Sequence, residues 1–301
     1  MHSNLPAREE RPWWRDAVTY QIYIRSYADS NGDGIGDING IRSRLPYIKD
    51  LGVDCIWINP WFDSPQKDHG YDVADYFAIN KDYGTLDDAK SLIKEAHQLG
   101  IRIILDLVPN HSSDLHVWFQ EALNSVPGSK ARDRYIFRDG KGPNGDLPPN
   151  NWEAVFGGPA WERVIEKDGK PGQWYLHLFA VEQPDFNWEN QEVWEHFREI
   201  FKFWLDLEFD GFRIDVAHGM WKAKGLPDVD FAEVELLDRH YRPYWDQEEV
   251  HEIHRDWRKI TDKYKHEPML VSEAWAPDDQ RTAMYVRSDE LHQSFNFLSL
   301  I

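Results

Sequence analysis

The sequence predicts an α/β fold built around a parallel sheet, and three observations indicate it. Short apolar segments with the composition of buried strands alternate with amphipathic segments of helical period. One strand candidate, residues 101–108, is apolar almost throughout, as parallel strands are when both of their faces are buried. The 301 residues are enough for one α/β barrel or for two ordinary domains.

The first third of the chain contains three predicted strands and two predicted helices. The strands are predicted at 18–24, 55–60 and 101–108, and the helices at 40–51 and 86–99. Thr85 has the character of a helix N-cap, and Gly100 has that of a C-terminal stop. This order of elements is the βαβ pattern of a parallel sheet.

Residues 111–183 interrupt the alternation with a region rich in Gly, Pro, Asn and Trp that shows no sustained periodicity. A structureless loop of that length is uncommon in a compact domain, so we interpret the region as a small domain inserted after the third strand. The pattern then resumes, with helices at 192–207 and 250–264 and strands at 211–216, at 269–273 and from 294 onward.

These elements predict a (β/α)8 barrel that is incomplete at its C-terminus. Residues 1–110 form its first part, residues 111–183 the inserted domain, and residues 184–301 its continuation. An eight-stranded barrel needs further strands, so we expect this chain to be part of a longer protein.

Composition disfavours several partners. The formal net charge is −19, whereas nucleic acids and anionic membranes select basic surfaces. Residues 1–16 lack the apolar centre of a signal peptide, and no segment has the length and apolarity of a membrane span. Cys55 is the only cysteine, so an intramolecular disulfide is excluded and a buried thiol is expected. We predict a cytoplasmic protein without nucleic-acid or membrane partners; the oligomeric state is not readable from the sequence.

Aromatic residues make up 14% of the chain, with 15 Trp. We assign most of these rings to the core and a minority to sugar binding, because the apolar C–H faces of a pyranose stack on aromatic rings.

Asp215 has the surroundings of a nucleophile. Side chains alternate along a strand, so Arg213 and Asp215 share one face while Phe212 and Ile214 point the other way, toward helices. A carboxylate beside an arginine is expected to stay ionised at neutral pH. The alternative is a purely structural Arg–Asp ion pair.

Glu273 is a second acid at the carboxyl end of a predicted strand, where active sites of α/β barrels lie. Trp275 follows closely, and an aromatic wall beside Glu273 is expected to raise its pKa, as a general acid requires. Taken alone, Glu273 could be a surface carboxylate. Together with Asp215 it forms the carboxylate pair that glycoside cleavage needs.

Further polar residues at strand ends are candidates for sugar binding. Asp106 and His111 bracket the end of the third strand, and His111 could bind a sugar hydroxyl. Asp68 and Tyr71 follow the second strand, where Tyr71 offers a stacking face and Asp68 an acceptor. A lone histidine after a strand is more often structural, so the prediction for His111 depends on its combination with the other polar residues at strand ends.

The segment 29–37 resembles the first part of an EF-hand loop. Asp29, Asn31, Asp33 and Asp37 place oxygen ligands at alternate positions, and the intervening glycines permit tight winding. Gly40 stands where the final bidentate Glu should be, so we predict a single-loop Ca²⁺ site rather than an EF-hand. A Gly/Asp-rich surface turn is the alternative.

His251 and His254 are one residue short of the zinc-protease spacing. We predict that they lie on a solvated helix face.

Taken in order, these motifs resemble the α-amylase superfamily of glycoside hydrolases, family 13, and within it the oligo-1,6-glucosidase and α-glucosidase branch. The resemblance extends from Ala17 to about Leu298. The matching segments are 106–111, 211–215, 271–275, the calcium loop at 29–37, and 183–187, in which Phe186 replaces the usual Leu. It implies Ca²⁺ held by Asp29, Asn31, Asp33, Asp37 and the backbone carbonyl of Ile35.

The resemblance also implies a mechanism. Asp215 would attack the anomeric carbon while Glu273 protonates the glycosidic oxygen, and the β-glucosyl-enzyme would then be hydrolysed with retention. Asp68, Tyr71, His111 and Arg213 would hold the glucose, supported by Asp106. The family's third catalytic Asp and its C-terminal β-sandwich are absent from these 301 residues, so a protein ending at Ile301 is expected to have negligible turnover.

We therefore predict an exo-acting retaining α-glucosidase that releases terminal glucose from short oligosaccharides such as maltose or isomaltose. Small Ala217, close to the nucleophile, favours α-1,4 over α-1,6 linkages. One alternative is a glucosyl transferase or isomerase of the same branch, making trehalose or isomerising sucrose. Another is a non-catalytic interaction subunit, a class that typically lacks the carboxylate pair and carries a membrane anchor.

Overall fold

The computed structural model describes residues 11–232 and 242–300. Its strands are β1 (Thr19–Ile22), β2 (Cys55–Ile58), β3 (Phe62–Asp63), β4 (Asp75–Ile79), β5 (Arg102–Leu107), β6 (Phe137–Arg138), β7 (Trp161–Ile165), β8 (Pro171–Leu176), β9 (Gly211–Ile214), β10 (Met269–Ser272) and β11 (Gln293–Ser294). Its helices are α1 (Ile24–Tyr27), α2 (Ile38–Leu51), α3 (Leu86–Gln98), α4 (Val117–Leu123), α5 (Lys130–Asp133), α6 (Gln191–Asp206), α7 (Val250–Thr261) and α8 (Asp279–Met284).

Six strands form one parallel sheet in the order β1-β2-β5-β9-β10-β11. The spatial order follows the chain order, and helices α2, α3, α6 and α7 precede β2, β5, β9 and β10 along the chain. This is the arrangement of the first six strands of a (β/α)8 barrel, so the predicted fold class is confirmed.

The alternation predicted for β9 is also confirmed. Phe212 and Ile214 are fully buried, and the Phe212 ring lies 4.7 Å from that of Phe201 on α6. Apolar packing between this strand and its helix therefore leaves the opposite face of β9 to Arg213 and Asp215.

Helix α3 begins as its sequence predicts. The Thr85 hydroxyl accepts from the Asp88 N–H, and the Asp88 carboxylate accepts from the Thr85 N–H, which together form a capping box. Gly100 follows the helix with φ +70°, a conformation that glycine adopts at little cost.

The strand predicted from residue 294 onward is wrong in extent. β11 covers only Gln293–Ser294, and the chain then forms a 3₁₀ turn at Phe297–Leu300. The Phe297 ring stacks on Trp275 with ring centroids 3.8 Å apart. Ring packing to a neighbouring segment thus overrides the strand propensity of the phenylalanines.

Between β5 and α6 the chain forms two short helices, α4 and α5, and a separate antiparallel sheet in the order β6-β8-β7. Its core includes Trp152, Trp161 and Leu176, with Val229 and Tyr244 packed against them from a later segment. The two ends of this region meet in a bridge between His111 and Asp185. The domain boundaries at residues 111 and 183 stay a prediction.

The prediction that His251 and His254 lie on a solvated helix face is wrong. Both side chains are buried on α7 and lie close to the buried carboxylate of Glu290. Glu290 already accepts from Arg255 at 2.9 Å and from Arg287 at 2.6 Å. Two guanidinium groups at this carboxylate oppose a metal cation, so the cluster is a buried ion-pair network rather than a metal site.

Cys55 is buried, as predicted, beside Ile104, Met269 and Val271. In the part of the chain that the structure describes, each helix is too short or too polar to cross a bilayer.

Candidate active site

A cavity of about 600 Å³ opens at the carboxyl ends of the parallel strands. It is lined by Asp68, Tyr71, His111, Val155, Phe156, Phe179, Arg213, Asp215, Val216, His218, Trp245, Glu273 and Trp275. Six of the seven predicted sugar-site residues are in this lining, and the seventh, Asp106, lies directly beneath it. The structure therefore brings the whole predicted set together.

The two candidate catalytic carboxylates follow neighbouring strands. The N–H of Asp215 donates to the carbonyl of Leu107 at 2.8 Å, and the N–H of Glu273 donates to that of Ile214 at 2.9 Å. The parallel ladder thus continues one residue past each strand and holds both carboxyl groups in register.

Arg213 lies between three carboxylates. Its Nη1 donates to Asp106 at 2.7 Å and to Asp215 at 2.5 Å, and its Nη2 lies 2.9 Å from Glu273. One guanidinium charge faces three acids in a buried site, so the three cannot all be ionised without a large electrostatic cost.

Asp106 supports the site from below. Its Oδ2 accepts from Trp57 Nε1 at 3.0 Å and from the Tyr71 hydroxyl at 3.1 Å. Burial raises the pKa of Asp106 to about 6, although Arg213 opposes the shift. Asp106 thus holds the Tyr71 hydroxyl, and Tyr71 lines the cavity; the stacking role of its ring stays a prediction.

The protonation of the pair differs from the sequence-based expectation. Burial and the neighbouring carboxylates raise the pKa of Asp215 well above its ordinary value. Burial also opposes ionisation of Glu273, but Arg213 and the N–H groups of Val216 and Trp275 lower its pKa overall. The opposite directions of the two shifts indicate that the pair shares one proton. Trp275 Nε1 donates to Glu273 Oε1 at 3.1 Å and lowers the pKa of Glu273, whereas we predicted an aromatic wall that raises it.

Val216 directly follows Asp215 and has a strained backbone. Its φ is +45°, which is rare for a β-branched residue. This conformation directs its N–H to Glu273 Oε2 at 3.1 Å. A strained residue between the two carboxyl groups is typical of functional sites.

His111 and Asp68 form the other side of the cavity. Gln183 Nε2 donates to Asp68 Oδ2 at 2.9 Å and lies 3.1 Å from His111 Nε2. Burial lowers the pKa of His111 to about 4, so the imidazole is neutral at neutral pH. Burial raises the pKa of Asp68. A neutral imidazole next to a carboxyl group can bind sugar hydroxyls.

Aromatic residues at the cavity mouth were not predicted. Phe156 and Phe179 come from the inserted region, with ring centroids 5.7 Å apart. The Trp245 ring packs on that of His218, with ring centroids 4.8 Å apart. The only available signal was the surplus of aromatic residues, because no motif marks these positions.

Ala217 does not line the cavity, contrary to our expectation. It is fully buried in the core, whereas its neighbours Val216 and His218 face the cavity. The size of Ala217 therefore has no direct bearing on linkage specificity.

Lys222 was also missed. Its buried ammonium group lies 2.8 Å from Asp185 Oδ2 and 2.9 Å from Asn110 Oδ1. The available signal was a lysine seven residues after Asp215 in a segment with few polar residues.

In the predicted calcium loop, side-chain oxygen atoms accept from the loop's own N–H groups: Asp29 accepts from Gly32 and Gly34, and Asn31 accepts from Asp33. Asn31 Nδ2 and Asp33 Oδ2 are 3.1 Å apart, and Gly32 and Gly34 adopt φ values of +86° and +89°. The N–H groups of Gly34 and then Gly32 lower the pKa of Asp29, so this ligand candidate is ionised. The oxygen donors and the winding fit Ca²⁺.

The other end of this loop is tied to helix α2. Asp37 caps the helix by accepting from the Gly40 N–H at 2.6 Å. A Cβ at Gly40 would lie 1.8 Å from the carbonyl oxygen of Ala28. Close backbone packing thus explains why the position of the EF-hand Glu is a glycine.

Comparison with known proteins gives the family. Residues 21–300 match the family model described as "Alpha amylase, catalytic domain". The chain is 51% identical over 220 residues to "Probable oligo-1,6-glucosidase 3" of Bacillus subtilis (strain 168), which covers 73% of this chain and 38% of that protein. It is 44% identical over 291 residues to an oligo-1,6-glucosidase of Parageobacillus thermoglucosidasius; the match covers 96% of this chain and 50% of that protein.

Solved structures agree. The trehalose-6-phosphate hydrolase of Bacillus licheniformis, as a mutant complex, superposes with a TM-score of 0.88 at 43% identity, covering 96% of this chain and 50% of that one. A trehalulose synthase mutant superposes with a TM-score of 0.86 at 36% identity, covering 95% of this chain and 50% of that one. The chain thus spans about half the length of most of the relatives that it matches. With a family model that matches nearly its whole length, the chain belongs to the alpha-amylase catalytic-domain family.

Proposed function

We propose that this chain supplies the nucleophile and the acid/base of a retaining α-glucosidase. The observation that supports it most is the Asp215–Glu273 pair bridged by Arg213. The same guanidinium contacts both carboxyl groups, at 2.5 Å from Asp215 and 2.9 Å from Glu273, so the two groups lie close together. Inverting glycosidases keep their carboxyl groups farther apart to admit a water, whereas retaining enzymes keep them close.

The proposed chemistry uses the proton that the pair shares. When the glycosidic oxygen lies beside Glu273, the proton moves to Glu273 and leaves Asp215 ionised. Glu273 then gives the proton to the leaving oxygen as the C1–O bond breaks and Asp215 bonds to C1. Water subsequently gives a proton to Glu273, attacks C1 and releases Asp215.

We propose that the substrate is an unphosphorylated glucoside. Among the described residues that line the cavity, Arg213 is the only arginine or lysine, and the three acids that it contacts already neutralise it. Burial lowers the pKa of the lining residue His218 to about 4, so it is uncharged at neutral pH. A phosphate group would meet net negative charge in such a cavity.

For the linkage we propose α-1,6 rather than the α-1,4 favoured by the sequence. The argument for α-1,4 rested on Ala217, which is buried in the core. Five relatives, each matching 72–96% of this chain, are named oligo-1,6-glucosidases, one of them as probable. Relative rates on isomaltose and maltose test this proposal; a clear preference for maltose would contradict it.

A second candidate is a glucosyl transferase or isomerase. Solved relatives include trehalulose and isomaltulose synthases. The aromatic mouth formed by Phe156, Phe179 and Trp245 favours transfer to a sugar, because it presents an apolar surface rather than water-binding groups. Product analysis on sucrose and maltose separates the two functions: dominant isomerised disaccharide would replace the hydrolase proposal.

Two substitutions test the proposed roles. In the full-length protein, Asp215→Asn should lower kcat by at least about 10⁴-fold on every glucoside, because the nucleophile is lost. Glu273→Gln should lower kcat by about 10²–10⁴-fold on isomaltose but far less on α-glucosyl fluoride, whose leaving group needs no proton.

Asp87→Asn, on an exposed position of α3, is the matched control and should leave both rates unchanged. Equal losses on the two substrates in Glu273→Gln would contradict its role as the acid.

A further inference from the structure

Beside the cavity, His111 lies between two amide side chains that both present amino nitrogens to it. Asn110 Nδ2 is 3.1 Å from His111 Nδ1, and Gln183 Nε2 is 3.1 Å from His111 Nε2. A neutral imidazole has one N–H and one acceptor nitrogen, so only one of these contacts can be a hydrogen bond. We propose that Lys222 is a positioning residue that decides between them: through Asn110, it fixes His111 as the tautomer with its proton on Nε2.

The orientation of Asn110 is set by two charged groups. Its Oδ1 accepts from the Lys222 ammonium at 2.9 Å, and an ammonium group cannot accept. Its Nδ2 donates to the Asp185 carboxylate at 3.0 Å. Turning the amide over would place its amino group against the lysine and its oxygen against the carboxylate. Asn110 therefore presents a donor to His111 Nδ1, which must be the acceptor.

The orientation of Gln183 depends on weaker partners. Its Oε1 accepts from the neutral N–H of Ala180 at 3.0 Å, and its Nε2 donates to Asp68. Burial raises the pKa of Asp68, so this carboxyl group takes up a proton more readily than an exposed one. Hydrogen bonds to fully ionised groups are roughly twice as strong as neutral ones. The Asn110 contact therefore prevails, and the Gln183–His111 contact is the one that yields.

The anchoring ion pair is shielded from water. Lys222 and Asp185 are both buried, 2.8 Å apart, and Asp185 also accepts from the Leu178 N–H at 2.8 Å. In a low-dielectric environment such charges orient neighbouring dipoles more firmly than they would in water. The distance from Lys222 to the cavity is bridged by a single residue, Asn110.

The position of the proton on His111 has a consequence for sugar binding, and this consequence rests on the proposed function. The Nε2 side of His111 is the side of Asp68, which lines the cavity. A proton on Nε2 makes His111 a donor there, and Asp68 is an acceptor. One sugar hydroxyl can then accept from His111 and donate to Asp68, replacing the unfavourable contact with Gln183.

The tautomer can be observed without any substrate. In protein labelled with ¹⁵N-histidine, long-range ¹H–¹⁵N spectra distinguish the protonated ring nitrogen from the unprotonated one. The signal of His111 is the one lost in His111→Gln. We expect a protonated Nε2 and an unprotonated Nδ1 at neutral pH; a protonated Nδ1 would overturn the proposal.

The decisive variant is Asp185→Asn combined with Lys222→Met. The double change avoids an unpaired buried charge, which Lys222→Met alone would leave. In Asp185→Asn, the amide oxygen should still accept from the Leu178 N–H. The amino group of that amide then takes the position of Oδ2 and faces Asn110. Asn110 should then turn over, present its oxygen to His111 and draw the proton to Nδ1. An unchanged proton on Nε2 would contradict the role of the ion pair.

Gln183→Met is the matched control, because it removes the other amide and keeps both charges. His111 should retain its proton on Nε2 in this variant. A switch to Nδ1 would show that Gln183, rather than Lys222 and Asn110, sets the tautomer, and would overturn the proposal.

Binding of the glucose mimic 1-deoxynojirimycin, measured by calorimetry, tests the consequence. The double variant should bind it about tenfold more weakly than the wild type, as the loss of one hydrogen bond predicts. Equal binding would contradict the positioning role. If the wild type does not bind the mimic, the proposed function fails, whereas the tautomer assignment is decided by the spectra alone.

Discussion

At the scale of single residues, the charge balance of the site depends on Arg213. Its guanidinium serves Asp106, Asp215 and Glu273 at once, and its Nε has no hydrogen-bond partner within the described residues although it is buried. Three acids around one base explain why the Asp215–Glu273 pair holds a proton.

Trp275→Phe should raise the pKa of Glu273. The indole N–H donates to Glu273 Oε1 and stabilises the ionised form, so its removal favours the protonated form. Phenylalanine keeps the stacking on Phe297. The general acid must be protonated, so the alkaline limb of kcat/KM against pH should move up by about half a unit.

The pH profile on isomaltose measures this shift, and α-glucosyl fluoride provides the control, because its cleavage needs no acid. A limb that stays in place or moves to lower pH would show that the Trp275 bond does not act on Glu273.

At the scale of elements, the loop at 29–37 stands at the start of α2 and should couple calcium to stability. We predict that a chelator lowers Tm and that Ca²⁺, but not Mg²⁺, restores it, because the proposed ligands are all oxygen atoms and Mg²⁺ demands near-ideal octahedral geometry and dehydrates reluctantly. Asp33→Ala should abolish this response, since Asp33 belongs to the proposed ligand set.

Asp37→Ala separates capping from calcium binding. Asp37 caps α2, so its loss should cost about 1 kcal/mol even in the presence of chelator. An identical Tm with and without Ca²⁺ in the wild type would leave the loop as a Gly/Asp-rich turn.

Gly40→Ala should destabilise the protein, although alanine is normally favoured over glycine inside a helix by about 1 kcal/mol. The added Cβ would lie 1.8 Å from the carbonyl oxygen of Ala28, so the backbone must shift at a cost of about 1–3 kcal/mol. Urea unfolding measures the change, with Asp50→Ala on the exposed side of α2 as control. Equal or higher stability of Gly40→Ala would refute the close packing.

At the scale of the whole molecule, buried neutral histidines should make stability depend on pH. Burial lowers the pKa to about 4 for His111, His196, His218 and His292 and to about 3 for His116. The unfolded chain binds these protons near pH 6.5, so stability is complete above that pH and is lost as pH falls toward 4. A single shift from 6.5 to about 4 corresponds to roughly 3 kcal/mol.

His97 acts in the opposite direction, because its bond to Asp210 raises its pKa. The carboxyl groups of Asp106 and Asp215 also act in that direction, because burial raises their pKa values. We expect the five histidines to dominate, because the folded protein shifts the pKa of each one far below that of a free imidazole. The free energy of unfolding in urea should therefore fall by several kcal/mol between pH 7 and pH 5. A constant or rising value would mean that these histidines are protonated in the folded protein or that the fold opens around them.

Much of the fold and the site follows from local patterns. Alternation along β9 places Arg213 and Asp215 on one face, and the Thr85 capping box begins α3 where the sequence predicts. Strand ends at one edge of a parallel sheet must meet, so Asp215 and Glu273 are predictable neighbours. Such features depend on residues that are close in sequence or on the topology of the sheet.

The tertiary structure decided what depends on long-range contacts. Trp275 turned out to be a donor, Ala217 a core residue, and His251 and His254 buried partners of Glu290 and its arginines. Lys222 reaches His111 only because Asn110 and Asp185, distant in sequence, fold beside it. The sequence by itself determined the strand periodicity, the carboxylate pair and the family resemblance. Protonation and tautomer were decided by burial and by charges from distant segments, whose strength depends on distances that no local pattern contains.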